Sequence, residues 1–137
     1  FLESFKVLEP IDDNWQEYLQ NLIDDTERAE RKDFGGTDIE IYLKNIAVYF
    51  IWRYFPKGVY DEEIISKTFL MALSVATIKL MYERELLNSE SLDGEKCSIL
   101  AKNYSKEIEY SEENLEMLYN MVYENSAFSK DNILSIL

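Results

Sequence analysis

Residues 38–55 read DIEIYLKNIAVYFIWRYF, and this stretch decides the fold. Ile39, Tyr42, Leu43, Ile46, Ala47, Tyr49, Phe50, Ile51, Trp52, Tyr54 and Phe55 go nearly all the way round a helix. A helix apolar on almost every side belongs at the centre of a bundle rather than on its rim. Thr37, with Glu40 three residues on, has the spacing of a capping box that opens the helix. Pro56 and Gly58 are expected to end it. The stretch is short and tyrosine-rich for a membrane span, and Lys44 and Arg53 bracket its apolar part.

Working outward, Asp33-Phe34-Gly35-Gly36 is the clearest break upstream. Before it, Trp15, Leu19, Leu22 and Ile23 recur at helical spacing over residues 14–31, with Asp12 or Asp13 as the cap and Pro10 just ahead. Downstream, Asp61 is expected to cap a third helix that runs to about Leu87. Glu62 and Glu63 stand where the macrodipole favours acids. This helix is also largely apolar, through Ile64, Ile65, Phe69, Met71, Leu73, Val75, Ile78, Leu80 and Met81. Asn88 to Gly94 reads as a polar loop. A fourth helix over 95–110 carries the stripe Cys97, Leu100, Ala101, Tyr104 and Ile108. Ser111 caps a fifth, with Leu115, Leu118, Tyr119 and Val122 inward, and a short last helix covers 130–136. The fold class that follows is all-α: a single-domain bundle of five to six helices, 1–137, with two central buried helices.

The chain has 137 residues and 47% apolar content, enough for one domain with a core of its own. It begins at Phe1 with no signal-peptide pattern and is expected to be a piece of a longer protein. A net charge of −13 argues against nucleic acid and anionic membranes as direct partners. The charge is uneven: residues 34–60 hold two acids against three bases, so the acid load lies elsewhere. One cysteine, Cys97, rules out an internal disulfide and a multi-cysteine metal site within this chain, and suits a reducing, cytoplasmic setting.

No histidine is present, which removes the commonest general base, the commonest metal ligand and every Ser-His or Cys-His nucleophile. Glu109, Glu112, Glu113 and Glu116 crowd one helix junction and have the oxygen ligands a hard cation takes. Acids at a helix start are stabilising there in any case, and that reading is preferred. Cys97 on an apolar stripe reads as a small core residue. Arg53 and Lys57 lie four apart, spaced to hold an anion, or else to snorkel from the core or pair with Asp61 and nearby acids; the second view is favoured. Tyr49, Tyr54, Tyr60, Tyr104 and Tyr110 either pack or line a pocket, and the pattern does not separate the two.

Two stretches carry a resemblance. One runs from Tyr42-Leu43-Lys44-Asn45 through Tyr49-Phe50-Ile51-Trp52-Arg53-Tyr54-Phe55 to Lys57-Gly58-Val59-Tyr60-Asp61. The other is Tyr104-Ser105-Lys106-Glu107-Ile108-Glu109-Tyr110-Ser111-Glu112-Glu113-Asn114-Leu115-Glu116, followed by Leu118. In content, order and separation they resemble the C-terminal helical region of bacterial flagellin lysine-N-methylases. The resemblance implies a parent enzyme that moves methyl groups from S-adenosylmethionine to lysines of flagellin or another lysine-bearing protein. It also implies an N-terminal region with a cysteine-bound metal centre, which would be this domain's intramolecular partner. No cofactor is expected in the chain itself, and no turnover from it alone. Arg53, Tyr60, Asp61, Glu107 and Asn114 match the family pattern. With Tyr104 they are the candidate substrate-side, cofactor-side or architectural residues, and no catalytic residue is assigned. Lys106 stands where the family is expected to have arginine, and Tyr110 where it is expected to have histidine. The rival expectations are a non-enzymatic acidic interaction module with an exposed apolar patch, and a small-molecule sensor with a tyrosine-lined pocket between the second, third and fourth helices. The methylase reading expects Arg53, Glu107, Asn114 and several tyrosines to converge on one cleft.

Overall fold

The computed structural model describes residues 2–28, 33–89, 91–124 and 133. A 3₁₀ turn, Leu2–Val7, is followed by five helices: α1 (Trp15–Arg28), α2 (Asp38–Tyr60), α3 (Ile64–Asn88), α4 (Gly94–Glu109) and α5 (Glu112–Glu124). The described residues are an all-α bundle, as the periodicity requires. The expected last helix, 130–136, lies outside the described residues except Ile133, which is buried in the core. The side chain of Val122 is likewise outside them.

One helix, not two, is central. α3 touches α1, α2, α4 and α5, and buries Leu70, Leu73, Ala76, Ile78, Leu80, Met81 and Tyr82 almost completely. By length and apolar content α3 passes for a membrane-crossing helix, and here its neighbours in the bundle cover most of it. α2 was expected beside it at the centre, yet it buries only Phe50, Tyr54 and Gly58. Ile41, Val48, Ile51, Trp52, Phe55 and Val59 face outward instead, with Trp52 76% exposed. α2 and α3 form the most extensive helix pair, an αα-hairpin turned by residues 61–63.

The ends of α2 also differ from expectation. Thr37 does not cap through its side chain; its hydroxyl donates to the Phe34 carbonyl at 2.6 Å. Glu40 reaches back to accept from the Gly36 amide at 2.6 Å, so only the acid's half of a capping box forms, one residue early. The helix then runs through Pro56 to Tyr60. Proline removes the N–H that would bond the Trp52 carbonyl, and both residues lie on the exposed side, where solvent can offset the loss. Gly58 does not break the helix; it is where α3 comes closest. A Cβ there would sit 3.0 Å from the Ile64 Cα and 3.4 Å from the Lys67 Cβ. Asp61 closes α2, its amide donating to the Lys57 carbonyl at 2.9 Å, and its carboxylate also accepts from the Glu63 amide at 3.2 Å just ahead of α3. α3 starts from Glu63 without a side-chain cap.

α1, α4 and α5 follow their sequence signals. The Asp12 carboxylate accepts from the Asn14 amide, and the Asp12 carbonyl from Trp15 N–H, at the head of α1. The Asp93 carboxylate accepts from the Lys96 amide at 2.9 Å, and the Ser111 hydroxyl from the Asn114 amide at 3.1 Å.

Candidate functional site

The candidate residues fall into three clusters. The first is built on Glu109, the last residue of α4. Tyr49, Phe50, Arg53 and Tyr54 share one side of α2 because they are spaced at i, i+1, i+4 and i+5. Arg53 Nε donates to Glu109 Oε1 at 2.6 Å, and the Tyr54 hydroxyl donates to the same oxygen at 2.8 Å. The Tyr49 hydroxyl donates at 3.2 Å to both carboxylate oxygens. The Arg53 guanidinium lies 5.9 and 5.7 Å from the Tyr49 and Tyr54 ring centroids. Phe50 stacks on Tyr54 and meets Tyr104 edge-on, and the Tyr104 hydroxyl donates to Ser74 Oγ at 2.9 Å. Burial raises the Tyr54, Tyr49 and Tyr104 phenols above their ordinary pKa, and the Glu109 carboxylate adds to the effect. A carboxylate held by a guanidinium and two phenols in this way is a clamp between α2 and α4 rather than a free base.

The second cluster joins Glu107 and Asn114. Asn114 Oδ1 accepts from the Glu9 amide at 2.9 Å, and its Nδ2 donates to the Glu9 and Glu107 carbonyls at 2.9 and 3.0 Å. Glu107 Oε2 accepts from the Ile11 amide at 2.8 Å. Lys106 pairs with Asp12 at 3.1 Å, and the Lys106 and Asn14 contacts lower the Asp12 pKa, the Asn14 amide most. Together these bonds staple the segment between the 3₁₀ turn and α1 to the α4–α5 junction. Glu107 Oε1 is buried and has no hydrogen-bond partner.

The third cluster lies at the α2–α3 turn. The Lys67 ammonium, on a residue only 5% exposed, pairs with Asp61 and, at 3.1 Å, with Glu63. It also stands 5.3 Å from the Tyr119 ring centroid. Hydrogen bonding to Lys67 holds Asp61 below the usual carboxylate range. For Lys67, desolvation opposes the charge, but the two carboxylates outweigh it and its pKa rises. Tyr60, next door, is 92% exposed.

The six candidates therefore do not meet in one cleft. Arg53 and Tyr104 belong to the Glu109 cluster, Glu107 and Asn114 to the N-terminal staple, and Tyr60 and Asp61 to the turn. The favoured partner for Arg53 and Lys57, Asp61, goes to Lys67 instead, and Arg53 takes Glu109. Glu109 was read with Glu112, Glu113 and Glu116 as an acid favoured at a helix start, and instead it ends α4 and is buried. Lys67 was passed over, although a lone lysine in the apolar run of α3 was a visible signal that an acid must meet it. Tyr49, Tyr54 and Tyr104 pack around Glu109 and Phe50 rather than lining a pocket. Cys97 is buried in the core, where desolvation pushes its thiol pKa up. Among the described residues no group of three or more His, Cys, Asp or Glu is placed to hold a metal ion, so they do not fit a cysteine-held centre.

Fold and clusters together define a helical domain that spends its polar side chains on internal clasps and leaves an apolar stripe open along one helix. A family model described as the FliB lysine N-methylase C-terminal domain matches residues 1–136. The chain belongs to that family. No curated protein and no solved structure matches it.

Proposed function

We propose that this domain is the C-terminal, architectural part of a bacterial, cytoplasmic protein-lysine methyltransferase. In this reading the remainder of the polypeptide transfers methyl groups from S-adenosylmethionine to flagellin lysines, and the domain docks on that N-terminal region through α2. The observation that carries the proposal is the α2 stripe. Ile41, Val48, Trp52, Phe55 and Val59 recur at intervals of seven, four, three and four, one face of a helix, and all stand exposed. Contiguous apolar surface of this kind marks an interface. Its segment is nearly neutral in a chain of net charge −13, which spares a docked region the cost of burying charge. A family described as a C-terminal domain has chain ahead of it, and that chain is the occupant argued for here. S-adenosylmethionine and the metal centre belong, in this proposal, to that other region, and no step is routed through either.

The test uses the full-length parent, metal-reconstituted without oxygen, with S-adenosylmethionine and its flagellin, reading lysine masses. Gains of one methyl unit are expected. They should vanish when residues 1–137 are deleted and fall at least tenfold in Trp52→Ser/Phe55→Ser. Methylation unaffected by either change would remove the docking role.

The same stripe favours a second reading, a non-enzymatic module that pairs with its own copy. Sedimentation of the 137-residue chain separates the two. A stable dimer broken by Trp52→Ser/Phe55→Ser supports self-association, and a monomer supports docking on the parent.

A further inference from the structure

The N-terminal segment, α1, α3 and α4 line a half-open cavity of about 230 Å³ to which α2 contributes no lining residue. Trp15 and Tyr18 form one wall, stacked with centroids 5.7 Å apart, and Met81 adds a thioether. The half-exposed Asp12–Lys106 pair stands at the rim. Glu107, 2% exposed, is among the lining residues, with one oxygen held by Ile11 and Oε1 buried and unpartnered. A buried acceptor without a donor costs roughly 1–3 kcal/mol, and more when charged, so this oxygen calls for a donor from outside the chain. The lining carries two acids against one base, a balance that suits a single positive charge. Two aromatic rings and a methionine suit a methylene stem, and ring faces also attract ammonium groups.

We propose that this cavity binds an alkylammonium group, its N–H donating to Glu107 Oε1 and its stem lying against Trp15, Tyr18 and Met81. The site stands on its own geometry. The methylase reading bears only on the ligand's source, which is either a lysine side chain of a bound protein or a free small amine.

The 137-residue chain carrying Trp52→Phe keeps Trp15 as its one indole, so Trp15 fluorescence reports the cavity. It is titrated with n-butylammonium, with Nα-acetyl-lysine amide and with n-butanol. A saturable change is expected with both amines and at least tenfold weaker binding of the alcohol. Glu107→Gln should weaken amine binding at least tenfold. Asn103→Phe, at an exposed lining position, should block it with helicity unchanged and no second indole added, which keeps the test sound if Glu107→Gln loosens the Ile11 contact. Tighter binding of the lysine amide assigns the site to protein lysines, and tighter binding of n-butylammonium to free amines. No saturation with either amine, equal binding of n-butanol, or unaltered binding in Asn103→Phe would overturn the site and leave Glu107 Oε1 to water. Methylation by the parent together with any of those results would sink the site while leaving the methylase reading in place.

Discussion

Glu109 and Glu107 sit two residues apart on α4, and their surroundings send them to opposite roles. Glu109 accepts from a guanidinium and two phenols; Glu107 keeps one oxygen unpartnered beside a cavity. Their positions in an acid-rich helix end do not distinguish them, because the partners of Glu109 come from a helix about 55 residues earlier. Removing Glu109 would strand the buried Tyr54 hydroxyl and unpair the partly solvated Arg53 charge, and groups orphaned in this way cost about 1–3 kcal/mol each. Glu109→Ala is expected to lose about that much for the two together in urea unfolding. Arg53 is partly in water, so Arg53→Ala should cost less, about 2 kcal/mol, from leaving the buried carboxylate under-compensated. A double-mutant cycle checks the link: the two losses should fall short of additivity by more than about 1 kcal/mol. Additive losses would mean that the two residues act separately. What was legible here was the membership of the group, since Arg53, Tyr49 and Tyr54 were all singled out. That they converge on Glu109, named there only among the acids of a helix junction, was not, because burial of an acid leaves no mark in its own sequence neighbourhood.

At the scale of elements, α1, α4 and α5 were legible because each pairs a polar cap with one apolar stripe, and both signals are local. The α2–α3 hairpin was less so. Pro56 and Gly58 read as a stop, yet the proline's lost hydrogen bond falls on the wet side and the glycine serves a contact that only three dimensions reveal. Gly58→Ala should therefore destabilise despite alanine's better helix propensity, because the new Cβ meets the backbone of Ile64 at 3.0 Å. A loss of about 1–3 kcal/mol is expected from such overpacking. The turn itself offers the opposite case. Glu62 has φ of 63°, a left-handed conformation that costs an L-residue roughly 1–2 kcal/mol. Glu62→Gly should recover up to about 1 kcal/mol, part of the relief being offset by the looser unfolded chain. Thermal melts of the two variants should thus move in opposite directions. A stabilised Gly58→Ala would show that α2 and α3 can separate at that point without loss.

For the whole molecule, hydropathy indicated which residues can be buried but not which chain buries them. α2 and α3 look alike in sequence, and only α3 is enclosed by its own bundle; an apolar ring drawn from composition cannot separate a core helix from one with an exposed apolar face. The enclosed part has a consequence for pH. Tyr54, Tyr82 and Tyr104 are all buried, their hydroxyls bonded to Glu109, the Cys97 carbonyl and Ser74, and desolvation raises all three pKa values. The folded chain keeps these protons at a pH where the unfolded chain has shed them. Their contribution is therefore intact below the ordinary tyrosine value, about 10, and is lost as pH rises above it. Each phenol held protonated steepens the decline by about 1.4 kcal/mol per pH unit, so three together give roughly 4. The chain should accordingly unfold cooperatively not far above pH 10, with tyrosinate absorbance and loss of helicity rising together. Tyr104→Phe removes one of the three protons, and the slope of stability against pH should drop by about a third. Tyrosinate signal from these residues appearing while helicity is intact would mean that water reaches the phenols in the folded state, and that the packing around α3 is looser than the buried hydroxyls require.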